Sequence, residues 1–251
     1  MKYVFAGDRK ISCDILNFLM NKGFKPEVLI VSNGKNATHS QELIEISGLS
    51  EKDIIFGSDF KKEENINKLI ALDVDYIFGI HFPFLIPKNV LDIPKVGFVN
   101  LHPAYLPFNK GWHTPSWAIL DKTIYGATLH FMSEEIDKGD IIYQKQIEVN
   151  LDETANSLYH KVLKLEFEVF KEAFDDLNSL KPKRIKQIET GTEHTKKDLA
   201  NIQELDLNKK ENIGALLDKL RALTTNNPNE LAYFINENKK IGVKIDFIEL
   251  N

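Results

Sequence analysis

The sequence predicts an α/β protein: a mostly parallel sheet flanked by helices, followed by a small C-terminal domain of one helix plus a β-hairpin. Three observations predict it. Short runs rich in β-branched and aromatic residues (Lys2–Ala6, Glu27–Ser32, Val74–Ile80, Val96–Leu101) alternate with segments of helical period. Each run is mainly apolar rather than alternating, the habit of strands buried on both faces of a parallel sheet with right-handed crossovers. After Leu180 the composition turns polar and basic, which divides a larger domain, 1–180, from a smaller one, 181–251.

The elements follow in order. Lys2–Ala6 ends at Gly7, and Ile11, Ile15, Phe18 and Leu19 then repeat at helical spacing up to Lys22, with Gly23 as the stop. Glu27–Ser32 returns as a second strand. Gln41–Ile46 and Glu64–Leu72 read as helices, Asp53–Phe56 as a short strand and Val74–Ile80 as a strong one. Val96–Leu101 is the next strand, Thr114–Leu120 a short helix, and Tyr125–Met132 and Asp140–Val149 two further strands. Asp152–Leu177 is a long amphipathic helix with Leu158, Val162, Leu165, Val169 and Ala173 in one stripe. Lys181–Lys197 reads as a linker or extended arm. Asn212–Leu223 is a helix, and Leu231–Ile235 and Ile241–Phe247 form a hairpin around the turn Asn236–Lys239. An isolated hairpin is marginal, so this one packs on something, a second subunit included.

Composition narrows the function. A net charge of −5 argues against nucleic acid as the main partner. The single cysteine, Cys13, excludes an intrachain disulfide and a cysteine-based zinc site, and it falls on the apolar face of the first helix. No apolar run reaches the ~18 residues of a membrane helix, and no signal peptide precedes the first strand, so a cytoplasmic protein is expected. The sequon Asn36-Ala37-Thr38 is then without use. No metal is expected, because His102, His113 and His130 lack metal-site spacing.

Chemistry concentrates between Val99 and Asp140. Asn100 and His102 stand two apart at a strand end, so their side chains share one side while Leu101 faces the core. Pro103 and Pro107 bar regular structure beyond them. An amide donor beside an imidazole suits acyl-type chemistry, one stabilising an oxyanion and the other handling a proton. Two other places invite a ligand. Asp8, Arg9 and Lys10 lie in a turn at a strand's carboxyl end, a ligand-binding position in open α/β sheets or a solvated turn. That turn has one glycine, so it is no dinucleotide fingerprint. The loop His81–Pro87 is apolar and bracketed by prolines, either the wall of a pocket for a flat ligand or a plug on the core.

Asn100-Leu101-His102-Pro103, Gly126-Ala127-Thr128-Leu129-His130 and Asp137-Lys138-Gly139, in that order, resemble the active-site segments of the folate-dependent formyltransferases. The resemblance implies a Rossmann-like sheet and transfer of a formyl group from N10-formyltetrahydrofolate to a primary amine. It implies that Asn100 hydrogen-bonds the oxyanion, that His102 assists removal of the amine proton or shares the oxyanion, and that Asp137 orients His102. His130 reads as a buried supporting histidine, and Asp140 as a turn residue. The pterin is expected against Phe82, Phe84, Leu85 and Ile86 and against Ser133, Glu134 and Ile136. Leu106-Pro107-Phe108-Asn109-Lys110-Gly111 and the short C-terminal piece look like the branch that acts on nucleotide-linked amino sugars. The expected acceptor is dTDP-4-amino-4,6-dideoxyglucose, for O-antigen or another surface polysaccharide. Its pyrophosphate is expected near Asp8, Arg9, Lys10 and Lys110, with Trp112 stacking on the base. A homodimer is expected. The alternatives are methionyl-tRNA formyltransferase and a non-catalytic folate- or nucleotide-sugar-binding module.

Overall fold

The computed structural model describes residues 1–251 except Glu189, Glu249 and Asn251, and of Asn36 only the backbone. The sequon's Asn36 side chain therefore lies outside the described residues. Down the chain come β1 (Tyr3–Gly7), α1 (Arg9–Asn21), β2 (Val28–Val31), α2 (Ser40–Ser47), β3 (Ile54–Phe56), α3 (Glu63–Ala71) and β4 (Tyr76–Ile80). Then follow α4 (Lys88–Leu91), β5 (Gly97–His102), β6 (Lys110–Gly111), α5 (Thr114–Asp121), β7 (Tyr125–Phe131) and β8 (Ile141–Ile147). The chain continues with α6 (Ala155–Asn178), β9 (Glu193–His194), α7 (Ile213–Ala222), β10 (Ala232–Asn236) and β11 (Lys239–Val243).

As the sequence predicts, the main sheet is mostly parallel. Its seven strands run in the order β3-β2-β1-β4-β5-β7-β8. β1, β2, β3, β4 and β5 pair in parallel, and β7 pairs antiparallel with β5. By contacts the chain forms two compact units, each drawn from three stretches: Met1–His102, Thr128–Gln144 and Glu166–Gln187 in the first, and Pro103–Ala127, Lys145–Leu165 and Ile188–Asn251 in the second. This grouping by contact is not a sequential cut at residue 180.

In the first unit, β1 and β4 are buried along their whole length, as central parallel strands must be. α1 turns Ile11, Ile15, Leu16 and Leu19 inward. Phe18 meets Phe167, Phe170 and Phe174 of α6 edge-on, with ring centres 6.1, 6.3 and 5.3 Å apart. Cys13 is buried, and burial pushes its thiol up to about 12, so it is inert. On a second core, built from Val4, Ile30, Phe60, Leu69, Ile77 and Phe98, pack Phe82, Phe84 and Ile86. The apolar loop after β4 is thus seated on the core, with only its rim free.

The second unit has its own small core of Trp117, Leu199, Leu223 and Ala232. Two expectations change here. The hairpin's second strand is Lys239–Val243 rather than 241–247, because the turn is the pair Glu237-Asn238, both at positive φ (48° and 63°). That geometry closes a two-residue hairpin and pairs Asn236 with Lys239. Of the two readings of 181–197, linker or extended arm, the pairing fits the arm and not a free linker: β9 pairs with β6, and Ile185 bridges Ile141 in the first unit. Its basic side chains face solvent while its backbone makes sheet bonds, so composition alone conceals the pairing.

Candidate active site

β5 has the sequence Gly-Phe-Val-Asn-Leu-His and lies between parallel β4 and antiparallel β7. Its register against β7 sets Asn100 opposite His130 and His102 opposite Thr128. Period two puts Asn100 and His102 on the face away from Leu101. Neighbouring backbones hold this strand on both sides, so the two side chains start from a rigid base.

His130 is buried, and its Nδ1 lies 2.8 Å from the carbonyl oxygen of Phe131. A carbonyl only accepts, so Nδ1 carries the proton and Nε2 offers a lone pair. Burial pushes the imidazole down to about 4; Asp137 opposes that shift and His102 adds to it. His130 is therefore neutral near pH 7. Its Nε2 stands 3.3 Å from Asn100 Nδ2, which donates to it. This bond orients the Asn100 amide and leaves its second N–H free of the histidine.

The turn between β7 and β8 brings Asp137 to this pair. Its Oδ2 lies 3.6 Å from His102 Nε2, and its Oδ1 3.7 Å from His130 Nε2. Both spacings are ion-pair distances longer than a hydrogen bond, so the carboxylate sits between two imidazoles. Asp137 has φ 53°, the left-handed region that a residue with a Cβ occupies at a cost. Gly139 lies so close to the Phe131 carbonyl that a Cβ there would collide with it.

Around this centre the other expected residues fall as follows. Phe82 and Phe84 meet Phe60 edge-on, with ring centres 5.6 and 6.2 Å from it, and Ile86 packs on the same core. Leu85 is 74% exposed and Ile136 51% exposed, two apolar side chains facing solvent on the loop and the turn. Ser133 and Glu134 are exposed, and Glu134 pairs with Lys88 at 2.8 Å, tying the loop after β4 to the turn after β7. Beside that tie lies a cavity of about 420 Å³, walled by Phe98, Phe131, Met132, Ser133, Glu134 and Arg184, among others. It does not include Asn100, His102 or Asp137. A second cavity of about 580 Å³ belongs to the second unit, near Ile119, Ile147 and Arg221.

The turn after β1 divides its roles. Asp8 is fully buried, and its Oδ1 accepts from Thr38 N and Oγ1 at 3.0 and 2.9 Å and from His39 N at 3.3 Å. It is turned inward, against the expectation of an outward ligand contact, because two neighbouring backbone N–H groups and a hydroxyl claim it. Arg9 is exposed at φ 69°, and Lys10 is paired with Glu42 at 2.5 Å. Lys110 and Trp112 belong to the second unit. Lys110 is buried in β6, while Trp112 is half exposed with Lys196 Nζ 5.2 Å over its ring. Lys88 and Gln187 escaped the sequence reading, since neither stands in a motif or on a periodic face. Among the described residues no cluster of histidine, cysteine and carboxylates could hold a metal ion.

A mostly parallel sheet whose fifth strand ends in an amide and an imidazole, with a carboxylate brought over from the next hairpin, suits group-transfer chemistry. Residues 3–174 match the family described as formyl transferase, and residues 198–249 match the N-formyltransferase dimerization C-terminal domain. The chain belongs to the formyl transferase family and is an N-formyltransferase. A 4-N formyltransferase from Francisella tularensis is 31% identical, with a TM-score of 0.83, and the likeness covers 99% of both chains. The dTDP-4-amino-4,6-dideoxyglucose formyltransferase of Mycobacterium tuberculosis is 28% identical over 171 residues, 68% of this chain and 72% of that protein. An N-formyltransferase from Helicobacter canadensis, solved with folinic acid and dTDP-3-aminofucose, shares the fold at 21% identity, with a TM-score of 0.71 over 96% of this chain and 86% of its own. Methionyl-tRNA formyltransferases also match, but this chain spans only 53–63% of their length.

Proposed function

We propose that the protein transfers the formyl group of N10-formyltetrahydrofolate to the amino group of a nucleotide-linked amino-dideoxy sugar, dTDP-4-amino-4,6-dideoxy-D-glucose. The observation that carries the reading is the cluster at the end of β5, where an oriented amide, an imidazole and a carboxylate meet. In this reading the sugar amine adds to the formyl carbon, and Asn100 uses its second N–H on the oxyanion that develops. His102 takes the amine proton. Asp137, poised 3.6 Å away, stabilises the imidazolium and helps pass that proton to the folate nitrogen as the old C–N bond breaks. His130 stays neutral and keeps Asn100 pointing correctly. The folate supplies only the formyl group.

The residues present fit that donor. The pterin is assigned to the exposed apolar side chains of Leu85 and Ile136, on the loop and the turn, and to Ser133 and Glu134, which also line the cavity of about 420 Å³. Arg9, Lys10 and Lys110 are assigned to the pyrophosphate and Trp112 to the base, while Asp8 serves from inside by holding the Thr38–His39 loop. We further assign 1–180 as the catalytic domain and 181–251 as a C-terminal domain that joins two copies in a homodimer. The enzyme is placed in the cytoplasm, its product destined for O-antigen or another surface polysaccharide. No helix among the described residues is long and apolar enough to cross a membrane.

The test is release of tetrahydrofolate from N10-formyltetrahydrofolate, with the dTDP-sugar, UDP-4-amino-arabinose and methionyl-tRNA offered as acceptors. Turnover is expected with the dTDP-sugar, and a loss of about 10²-fold or more in His102→Asn. Turnover with tRNA alone would replace the acceptor. Folate binding without turnover on any of them would make the chain a binding module.

A further inference from the structure

The segment after α6 reaches back to the turn that carries Asp137. Ile185 exchanges both backbone hydrogen bonds with Ile141, at 2.8 and 2.9 Å. Arg184 lays its guanidinium 3.6 Å from the Phe131 ring centre and donates to the Val96 carbonyl. Gln187 then donates from Nε2 to two carbonyl oxygens of the turn, those of Asp137 and Gly139, at 2.8 Å each.

One nitrogen answering two carbonyls requires two N–H groups on one atom, which a primary amide has. The opposite amide orientation would set Oε1 against both carbonyls, so the hydrogen bonds decide the assignment. Gln187 Oε1 is buried and has no hydrogen-bond partner among the described residues. Leaving a buried acceptor unmet is costly, so burial alone does not account for the side chain's placement. The two carbonyls it holds flank Lys138, directly after the residue at φ 53°. Gly139 also lies against the Phe131 carbonyl, too close for a Cβ. The turn is clamped by the glycine's close approach and by the glutamine's amide.

We infer that Gln187 is a positioning residue for formyl transfer: it holds the Asp137 backbone in the left-handed conformation that aims its carboxylate between His102 and His130. The inference rests on the role proposed above for Asp137. Gln187 touches no reacting atom, and it acts through the peptide groups of the turn.

The experiment measures kcat and KM for both substrates in Gln187→Ala, Asp137→Ala and the double variant, with thermal melts of each. Gln187→Met, which keeps the bulk and removes both donors, stands in where the alanine variant does not fold. A misplaced carboxylate costs about 10- to 100-fold in turnover. The expected result is a kcat lower by that factor in either Gln187 variant, with both KM values nearly unchanged, and no further loss when Gln187→Ala is added to Asp137→Ala. Wild-type kcat in the Gln187 variants overturns the inference. So does a further multiplicative loss on the Asp137→Ala background, which would mark Gln187 as a general support of the fold. If Asp137→Ala itself turns over like wild type, the role proposed for Asp137 fails and this inference fails with it. If Asp137→Ala is slow and the Gln187 variants are not, only the inference about Gln187 fails.

Discussion

Two histidine–carboxylate sites in the first unit have opposite designs. His81, at the end of β4, meets Glu166 of α6 with 2.8 Å between Nε2 and Oε1, and Glu166 is fully buried. His102, at the end of β5, faces Asp137 across 3.6 Å, and the same carboxylate is within 3.7 Å of His130. The first pair is closed: a side chain on a long helix bonded to one on a strand end, a strut between two elements. The second has slack beyond hydrogen-bond reach, and its carboxylate comes from a turn rather than a helix. A closed pair spends its proton on holding the fold, whereas a slack pair can exchange a proton with a third group.

Substitutions on the two sides of this comparison should give contrasting results. The largest effect is expected from the slack pair: Asp137→Asn lowers kcat by about 10²–10⁴ while the melting temperature stays near wild type. A large loss of stability in that variant would erase the distinction. Next comes the closed pair. Glu166→Ala removes one partner of a buried pair and is expected to lower stability by roughly 3 kcal/mol in urea melts, with turnover of the folded fraction retained.

A smaller effect, visible with pH, comes from His130. Its imidazole goes from an ordinary 6.5 down to about 4 in the fold. The unfolded chain therefore binds a proton that the native state refuses as pH falls through that window. Stability is fully present above about pH 6.5 and is lost on the way to pH 4, by up to about 3 kcal/mol. His130→Asn should flatten that part of the stability profile, and an unchanged acid limb would show that His130 is already charged in the fold. The smallest effect belongs to the exposed tie between Lys88 and Glu134, each 64% exposed. Lys88→Ala is expected to cost under about 1 kcal/mol and to raise KM for the formyl donor only a few-fold, read from initial rates.

Much of this was legible in the sequence because it depends on period and order. The alternation of apolar runs with helical segments foretells the sheet, and the spacing of Asn100 and His102 puts both on one side of β5. Asp137 stands in no periodic element and was legible only through resemblance. The rest was hidden for physical reasons. Ile185 and Gln187 bond to backbone 44 and 48 to 50 residues away, and a backbone carbonyl has no residue type to read. Asp8 looked like an outward ligand contact because a charged turn residue usually is one. Its burial depends on Thr38, thirty residues on. The loop after β4 left two readings open, and its packing on Phe60 required knowing what lay beneath it.

The segment after α6 that carries Arg184, Ile185 and Gln187 also bears on how this enzyme is to be cut apart. The family match over the catalytic part ends at residue 174, but the compact first unit runs on to Gln187. A fragment trimmed to the match would keep Asn100, His102 and Asp137 and discard Arg184, Ile185 and Gln187. It would have every group the chemistry calls for, with the third left on an unfastened turn. If Gln187 positions Asp137 as inferred, the shortest working fragment is longer than the shortest recognisable one, and the boundary to engineer is Gln187.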